Sequence, residues 1–204
     1  MAAATKKPAK PRVSERSEEP QTLSAFWKGQ PDDPYTFARF YWGEGAGGRE
    51  GVSARFLAKR RPVEKSGEKD TAARVEVLLP TDAPEEYSDP DFLTRNFDAR
   101  LSEQGATAYV QLTMRFPEAF NLHGPYERCR SFLRNEFVDG RSLPVLMVLH
   151  APHLTGSPNA PHIHALILPR EIGRFGFGNP DLRLGSDRDR EETVLLWEKW
   201  VSCH

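Results

Sequence analysis

Two apolar runs that lie close together in the chain constrain its fold most. Residues 144–150 and 161–169 have the length and the Val, Ile and Leu content of buried strands, and the loop between them contains glycine and proline. The runs therefore predict two neighbouring strands that pair as a hairpin. Because side chains alternate between the two faces of a strand, His162 and His164 project from one face, and His150 lies beside them at the end of the first run.

These three histidines predict a metal site. Three imidazoles that converge from two rigid strands can bind a divalent cation and leave positions open for water or a substrate oxygen. A single strand histidine is more often an ordinary hydrogen-bonded residue. Two at positions i and i+2, with a third on the partner strand, favour a metal or phosphate site. His153 is a competing third ligand because it lies in the same loop, whereas His123 and His204 are assigned no role.

Composition narrows the class of protein. The 204 residues are 38% hydrophobic and 28% charged, which predicts one polar, soluble domain. No apolar run approaches the roughly 18 residues of a membrane span, and the first residues lack the apolar segment of a secretion signal. Cys129 and Cys203 are the two cysteines, which argues against a disulfide framework. We expect a cytoplasmic protein without a membrane partner.

The rest of the chain predicts an α+β domain, an antiparallel sheet with flanking helices. Residues 35–42 and 107–116 are expected as strands, and residues 74–79 as a short strand or a helical turn. Helices are expected over residues 54–61, 90–101, 125–140 and 189–201. The clean alternation over residues 107–116 predicts a half-buried strand, so we expect the helices to cover one side of the sheet.

Local signals set the predicted boundaries. Ser53 is expected to cap the first helix, and Ser88 or Asp89 precedes Pro90 as the start of the second. Residues 1–24 are rich in Lys, Pro, Ser and Glu and predict a disordered tail, so the folded domain is expected over residues 25–204. Residues 173–178 are expected to form a loop.

The net charge of −1 excludes a global basic field, but the charge is uneven. A basic segment is formed by Arg49, Arg55, Lys59, Arg60, Arg61 and Lys65. Such a segment is most often a solvated helix face, and it is equally compatible with a surface that contacts phosphates.

From Tyr35 to the C-terminus, the chain resembles the MobA/MobL family of plasmid mobilisation relaxases, members of the HUH endonuclease superfamily. That family has a strand ending in His, a loop, and then Asn-Pro-His-x-His. Here the strand ends at His150, and Asn159-Ala160-Pro161-His162-Ile163-His164 follows, with Ala160 inserted. The block Val110–Glu118 also matches the family strand that ends in Leu-Pro-x-Glu-Leu.

The resemblance implies an HUH relaxase-like fold and a specific chemistry. Relaxases nick single-stranded DNA at a transfer origin through a tyrosine that stays attached to the 5′-phosphate, together with accessory mobilisation proteins. Their histidines hold Mg²⁺ or Mn²⁺, which polarises the scissile phosphate. Carried over to this chain, His150, His162 and His164 would be the metal ligands.

The tyrosine of this family lies on a helix that corresponds to residues 51–61 here, and Arg60 stands near its position. A guanidinium stays protonated and cannot act as the nucleophile. Tyr41 is the candidate displaced nucleophile, although packing on a sheet is the more ordinary role for such a residue. The predicted DNA contacts are Arg55, Lys59, Arg60 and Arg61.

Several functions stay open. The chain is predicted to be a metal-dependent nuclease that uses water, an enzyme that uses a displaced tyrosine, or a catalytically inactive DNA-binding or accessory remnant of a relaxase. His162-Ile163-His164 also resembles the motif of the histidine-triad nucleotide hydrolases, in which a histidine attacks phosphorus without a metal. In that motif, Leu166 takes the place of the third histidine.

Overall fold

A six-stranded antiparallel sheet forms the centre of the computed structural model, which describes residues 23–28, 33–42, 51–63, 70–100, 106–119, 121–152 and 159–203. Its strands are β1 (Leu23–Lys28), β2 (Tyr35–Trp42), β3 (Arg74–Leu78), β4 (Thr107–Arg115), β5 (Val145–His150) and β6 (His162–Ile167). Their order across the sheet is β1-β2-β4-β6-β5-β3. A separate hairpin is formed by β7 (Arg170–Gly173) and β8 (Gly176–Pro180), where the sequence predicted a loop.

Helices cover both faces of the sheet. They are α1 (Val52–Arg60), α2 (Pro90–Asp98), α3 (His123–Leu133) and α4 (Asp187–Cys203). A short 3₁₀ helix (Glu85–Ser88) precedes α2, and a π-helical segment (Arg134–Asp139) continues α3. One apolar cluster joins the sheet to α3 and α4, and a second joins the opposite face to α1 and α2. The prediction that helices cover one side is therefore wrong, whereas the α+β class with flanking helices is confirmed.

Strand β4 shows why that prediction failed. Val110, Leu112 and Met114 pack into the cluster with α3 and α4, as the alternation predicts. Gln111 and Thr113 on the other face were expected to meet solvent, but they are buried as well. Polar side chains at a buried strand position cannot be distinguished from solvated ones by periodicity alone.

The N-terminal boundary differs from the prediction. β1 begins at Leu23 and pairs with β2, so residues 23 and 24 belong to the sheet. Residues 1–22 lie outside the described residues, and the disordered tail stays a prediction for them. No helix in the described ranges is both long and apolar enough to cross a membrane.

Helix α2 begins as the sequence predicts. Asp89 is its N-cap, and its carboxylate accepts hydrogen bonds from the backbone N–H groups of Asp91 and Phe92, both at 2.8 Å. Pro90 follows at the first helical position, where its missing N–H costs nothing. The helix ends at Asp98 and not at Leu101, which lies outside the described residues.

Helix α1 is capped from a distance, and the prediction that Ser53 caps it is wrong. The helix begins at Val52, so Ser53 lies inside its first turn. The carboxylate of Asp98 accepts hydrogen bonds from the backbone N–H groups of Val52 at 2.8 Å and Ser53 at 2.9 Å, and from the Ser53 hydroxyl at 2.5 Å. A β-carbon at Gly51 would collide with this carboxylate, so glycine is needed there. The last residue of α2 thus fixes the start of α1.

We expect Asp98→Ala to lower the free energy of unfolding by about 1–2 kcal/mol, because α1 loses its charged cap. Urea denaturation measures the change. Glu198→Ala on the exposed side of α4 is the control and should change stability by less than about 0.5 kcal/mol. Equal stability of the two variants would contradict the role given to Asp98.

Candidate metal centre

The hairpin of β5 and β6 brings the three predicted histidines together. His150 pairs directly with His162, and His164 lies two residues further along β6, opposite Val148. The ring centroid of His150 lies 5.0 Å from that of His162 and 5.0 Å from that of His164. The centroids of His162 and His164 are 4.8 Å apart. One nitrogen from each ring lies within 4.8 Å of the other two. The predicted hairpin is confirmed, and its histidines form one cluster.

Each ring is oriented by a hydrogen bond on its outer side. His162 Nδ1 lies 2.9 Å from the carbonyl oxygen of Ala160, and His150 Nε2 lies 2.6 Å from that of Lys59. A carbonyl oxygen only accepts, so these two nitrogens carry hydrogen. The lone pairs of the neutral rings are then on His150 Nδ1 and His162 Nε2. Such outer bonds set the tautomer of metal-binding histidines.

The two lone-pair nitrogens lie 3.2 Å apart. Facing lone pairs at this distance repel unless a proton or a cation lies between them. Two imidazole nitrogens bound to one cation, with bonds of about 2.0–2.1 Å, are separated by about 3 Å. The spacing of His150 Nδ1 and His162 Nε2, together with the third imidazole of His164 beside them, therefore suits a divalent metal ion.

His164 is the buried member of the cluster, with 3% of its surface exposed. Its Nδ1 lies 3.0 Å from the hydroxyl oxygen of Thr113, which also accepts a hydrogen bond from Gln111 Nε2 at 3.3 Å. Burial lowers the pKa of His164 well below its usual value, and the nearby positive charges of Lys59 and Arg115 add to this effect. The ring is therefore neutral at physiological pH, the state in which imidazole binds metals.

The C-terminal end of α1 lies against the cluster. The carbonyl of Lys59 contacts His150, and the next residue, Arg60, is 1% exposed. Arg60 Nε donates to Asp70 at 2.6 Å, and its Nη1 donates to Asp91. Its carbonyl accepts from the backbone of Thr71 and of the following residue, both at 2.9 Å. Arg60 thereby ties the end of α1 to two neighbouring segments.

This placement corrects one predicted DNA contact. Burial alone would lower the pKa of Arg60, but the hydrogen bonds and charges of Asp70 and Asp91 raise it, so the guanidinium stays charged within these ion pairs. A buried, doubly paired guanidinium cannot reach a DNA phosphate, and Arg60 is withdrawn from the predicted contacts. Arg55 and Lys59 are half-buried and Arg61 is exposed, so these three stay as predicted contacts.

The structure does not bring Tyr41 to the histidines, and its candidacy as the nucleophile is withdrawn. Phe40 and Trp42 belong to the cluster on the face of the sheet that carries the histidines. Tyr41 lies between them in the strand and therefore projects from the opposite face. There, the guanidinium carbon of Arg39 lies 4.8 Å from the centroid of the Tyr41 ring. A side chain on that face cannot attack a phosphate bound at the histidines.

The other four of the chain's five tyrosines also pack elsewhere. Tyr35 stacks on Trp197 on the opposite face, and Tyr126 donates to Glu76. Tyr87 packs against Phe92 and Phe177, and Tyr109 stacks on Phe40. Tyr109 precedes Thr113 by four residues along β4, which is about 13 Å. All five lie within the described residues, and none of these positions brings a hydroxyl to the histidines.

Sequence reasoning missed Arg115. This residue ends β4 and pairs directly with His162, so it lies on the same face of the sheet as the cluster. The alternation of β4 already places Arg115 on the same face of the sheet as Thr113, because the two residues are two positions apart. The sequence does not show that β4 lies beside β6, so the closeness of Arg115 to His162 follows only from the structure. His153, the competing ligand, lies outside the described residues, and His123 is exposed at the start of α3.

The fold resembles a solved structure described as "Molecular Basis of Vancomycin Resistance Transfer in Staphylococcus aureus". The TM-score is 0.61 and the sequence identity is 16%, over 82% of this chain and 90% of that chain. No protein-family model and no curated protein matches the sequence. At this identity the likeness concerns the fold alone, and it supports the α+β fold with an antiparallel sheet and flanking helices that the sequence predicts.

We expect Thr113→Val to weaken Mn²⁺ binding about tenfold, because His164 loses the hydroxyl that orients its ring. Thr113→Ser keeps the hydroxyl and is the matched control, with an affinity close to that of the wild type. Calorimetric titration measures both, with circular dichroism to show that the fold is kept. Unchanged affinity in Thr113→Val would remove Thr113 from the support of the site.

Proposed function

We propose that this chain is a relaxase-like mobilisation protein of the MobA/MobL type. It binds Mg²⁺ or Mn²⁺ through His150, His162 and His164, and it binds single-stranded DNA of a transfer origin beside the metal, with accessory mobilisation proteins as further partners. The observation that carries this proposal is the convergence of three imidazoles, each oriented from outside, on one face of an antiparallel sheet. The resemblance of the histidine block to that family supports it.

The residues at this site have different roles in the proposed function. A cation held by His150, His162 and His164 would supply a Lewis acid that polarises the scissile phosphate and offsets negative charge in the transition state. The three histidines are neutral donors, so they leave the charge of the cation uncompensated. Lys59 adds positive charge close to His164. Such a site favours an anionic ligand over a neutral one.

We propose that the nucleophile is water and that the protein forms no covalent bond to DNA. Arg60 stands where the resemblance places the tyrosine, and Tyr41 faces the other side of the sheet. In this reaction the water oxygen bonds to phosphorus, the bond from phosphorus to one sugar oxygen breaks, and the water proton goes to that sugar oxygen. Both DNA ends are then released free.

The second candidate is a DNA-binding remnant that holds the metal without cleaving DNA. The placement of the tyrosines away from the histidines favours it, because it removes the family's nucleophile without disturbing the cluster. The histidine-triad hydrolase has less support. Its third histidine would stand at Leu166, and that side chain is fully buried in the core.

We expect calorimetry to show that the wild type binds one Mn²⁺ ion with micromolar affinity, and that His162→Ala/His164→Ala abolishes this binding. Mn²⁺ is the better titrant because Mg²⁺ prefers oxygen ligands. His123→Ala, at the exposed start of α3, is the control and should bind like the wild type. Absence of binding to the wild type, or equal binding to the double mutant, would refute the metal site.

We expect Mn²⁺-dependent cleavage of randomised single-stranded oligonucleotides on a denaturing gel, with no protein–DNA adduct after denaturation. EDTA and the His162→Ala/His164→Ala variant should stop cleavage, whereas Tyr41→Phe should cleave like the wild type. An adduct that disappears in Tyr41→Phe would overturn the water mechanism. Metal-dependent DNA binding without cleavage would assign the protein to the second candidate function.

A further inference from the structure

Two of the histidines and one arginine form a row across three neighbouring strands. His150 on β5 pairs with His162 on β6, which pairs with Arg115 on β4. Residues directly opposite one another in an antiparallel sheet project from the same face, with their β-carbons about 5 Å apart. Arg115 therefore lies in line with His150 and His162, one strand further across the sheet.

The position of Arg115 is fixed by its backbone and its side chain. Its backbone N–H donates to the carbonyl of Pro34 at 2.8 Å, and its guanidinium Nη1 donates to the carbonyl of Asp33 at 3.0 Å. The side chain is half-buried, so one part is held by the protein while another part meets solvent. A guanidinium has five N–H donors in a planar fork, so it can bind more than one acceptor.

We propose that Arg115 binds the DNA phosphate that approaches the three-histidine site, donating to one non-bridging oxygen while another faces the metal position. This inference rests on the proposed function and gives it a substrate-binding residue. A planar guanidinium matches the oxygens of a phosphate, and charge-assisted bonds of this kind are about twice as strong as neutral ones. The ligand class is a phosphodiester of a single strand.

The row also gives the DNA backbone a direction. At one end, the carbonyl of Lys59 on α1 contacts His150, and at the other end Arg115 lies beyond His162. A DNA strand whose successive phosphates follow this row, from α1 past the histidines to Arg115, would run across β5, β6 and β4, nearly perpendicular to these strands. Cationic residues of α1 would then meet the backbone on the side of His150.

The test compares Arg115→Gln with the wild type in two titrations, Mn²⁺ alone by calorimetry and a single-stranded oligonucleotide by fluorescence anisotropy with Mn²⁺ present. We expect Arg115→Gln to bind Mn²⁺ like the wild type and to bind the oligonucleotide about tenfold more weakly. The dependence of DNA affinity on salt should fall by about one released ion. Arg115→Lys should keep that salt dependence and recover part of the affinity.

Two controls separate recognition of phosphate from a structural role. Arg188→Gln removes an exposed arginine from α4, on the other side of the sheet, and should leave both titrations unchanged. An oligonucleotide of the same sequence with a neutral methylphosphonate backbone should bind wild type and Arg115→Gln equally. Urea denaturation shows whether Arg115→Gln is folded, and Arg115→Lys serves as the charged variant where it is not.

The outcomes separate this inference from the proposed function. A wild type that binds Mn²⁺ and the oligonucleotide, with equal DNA affinity in Arg115→Gln, overturns the role of Arg115 and leaves the proposed function standing. Loss of Mn²⁺ affinity in Arg115→Gln also overturns it, because the residue would then support the metal site. A wild type that binds neither probe refutes the proposed function, and this inference with it.

Discussion

The direct pairing of His150 with His162 is the constraint on which the candidate site depends. A slip of one residue between β5 and β6 would turn the two histidines of β6 into the apolar core below the sheet. The register is held because Met147, Leu149 and Ala165 pack in the cluster with α3 and α4. On the other face, Leu146, Val148 and Leu166 pack in the cluster with α1 and α2. Packing on both faces therefore fixes where the imidazoles meet.

Helix α1 lies at the edge of the site, and both of its ends are fixed by contacts with other segments. Asp98 holds its first turn, and Arg60 holds its last turn through ion pairs with Asp70 and Asp91. A buried ion pair costs much of its Coulombic gain in desolvation, so its net contribution to stability is small. What it does supply is a fixed geometry, and here that geometry presents the carbonyl of Lys59 to His150. Arg60 thus supports the cluster from outside.

The sequence was sufficient wherever a feature depends on neighbours in the chain. The strand period and the closeness of the two apolar runs in the chain are local, and they predicted the histidine cluster correctly. The Asp89 cap of α2 is also local and was predicted correctly. Features that depend on distant contacts were missed. The Asp98 cap joins residues 45 positions apart, and the burial of Arg60 needs a carboxylate 31 positions away. The role of Arg115 likewise depends on the order of strands, which alternation does not reveal.

The donor set has an electrostatic consequence for the proposed function. Three neutral imidazoles leave a divalent charge uncompensated, and the positive charges of Lys59 and Arg115 lie near His164. The same charges favour a phosphate, which would neutralise both the cation and the flanking residues. Metal and DNA should therefore strengthen each other's binding by the same factor, because the coupling free energy between two ligands is reciprocal. Under the proposed function, the site would bind its metal more tightly when a DNA phosphate completes the balance of charge than in the absence of DNA.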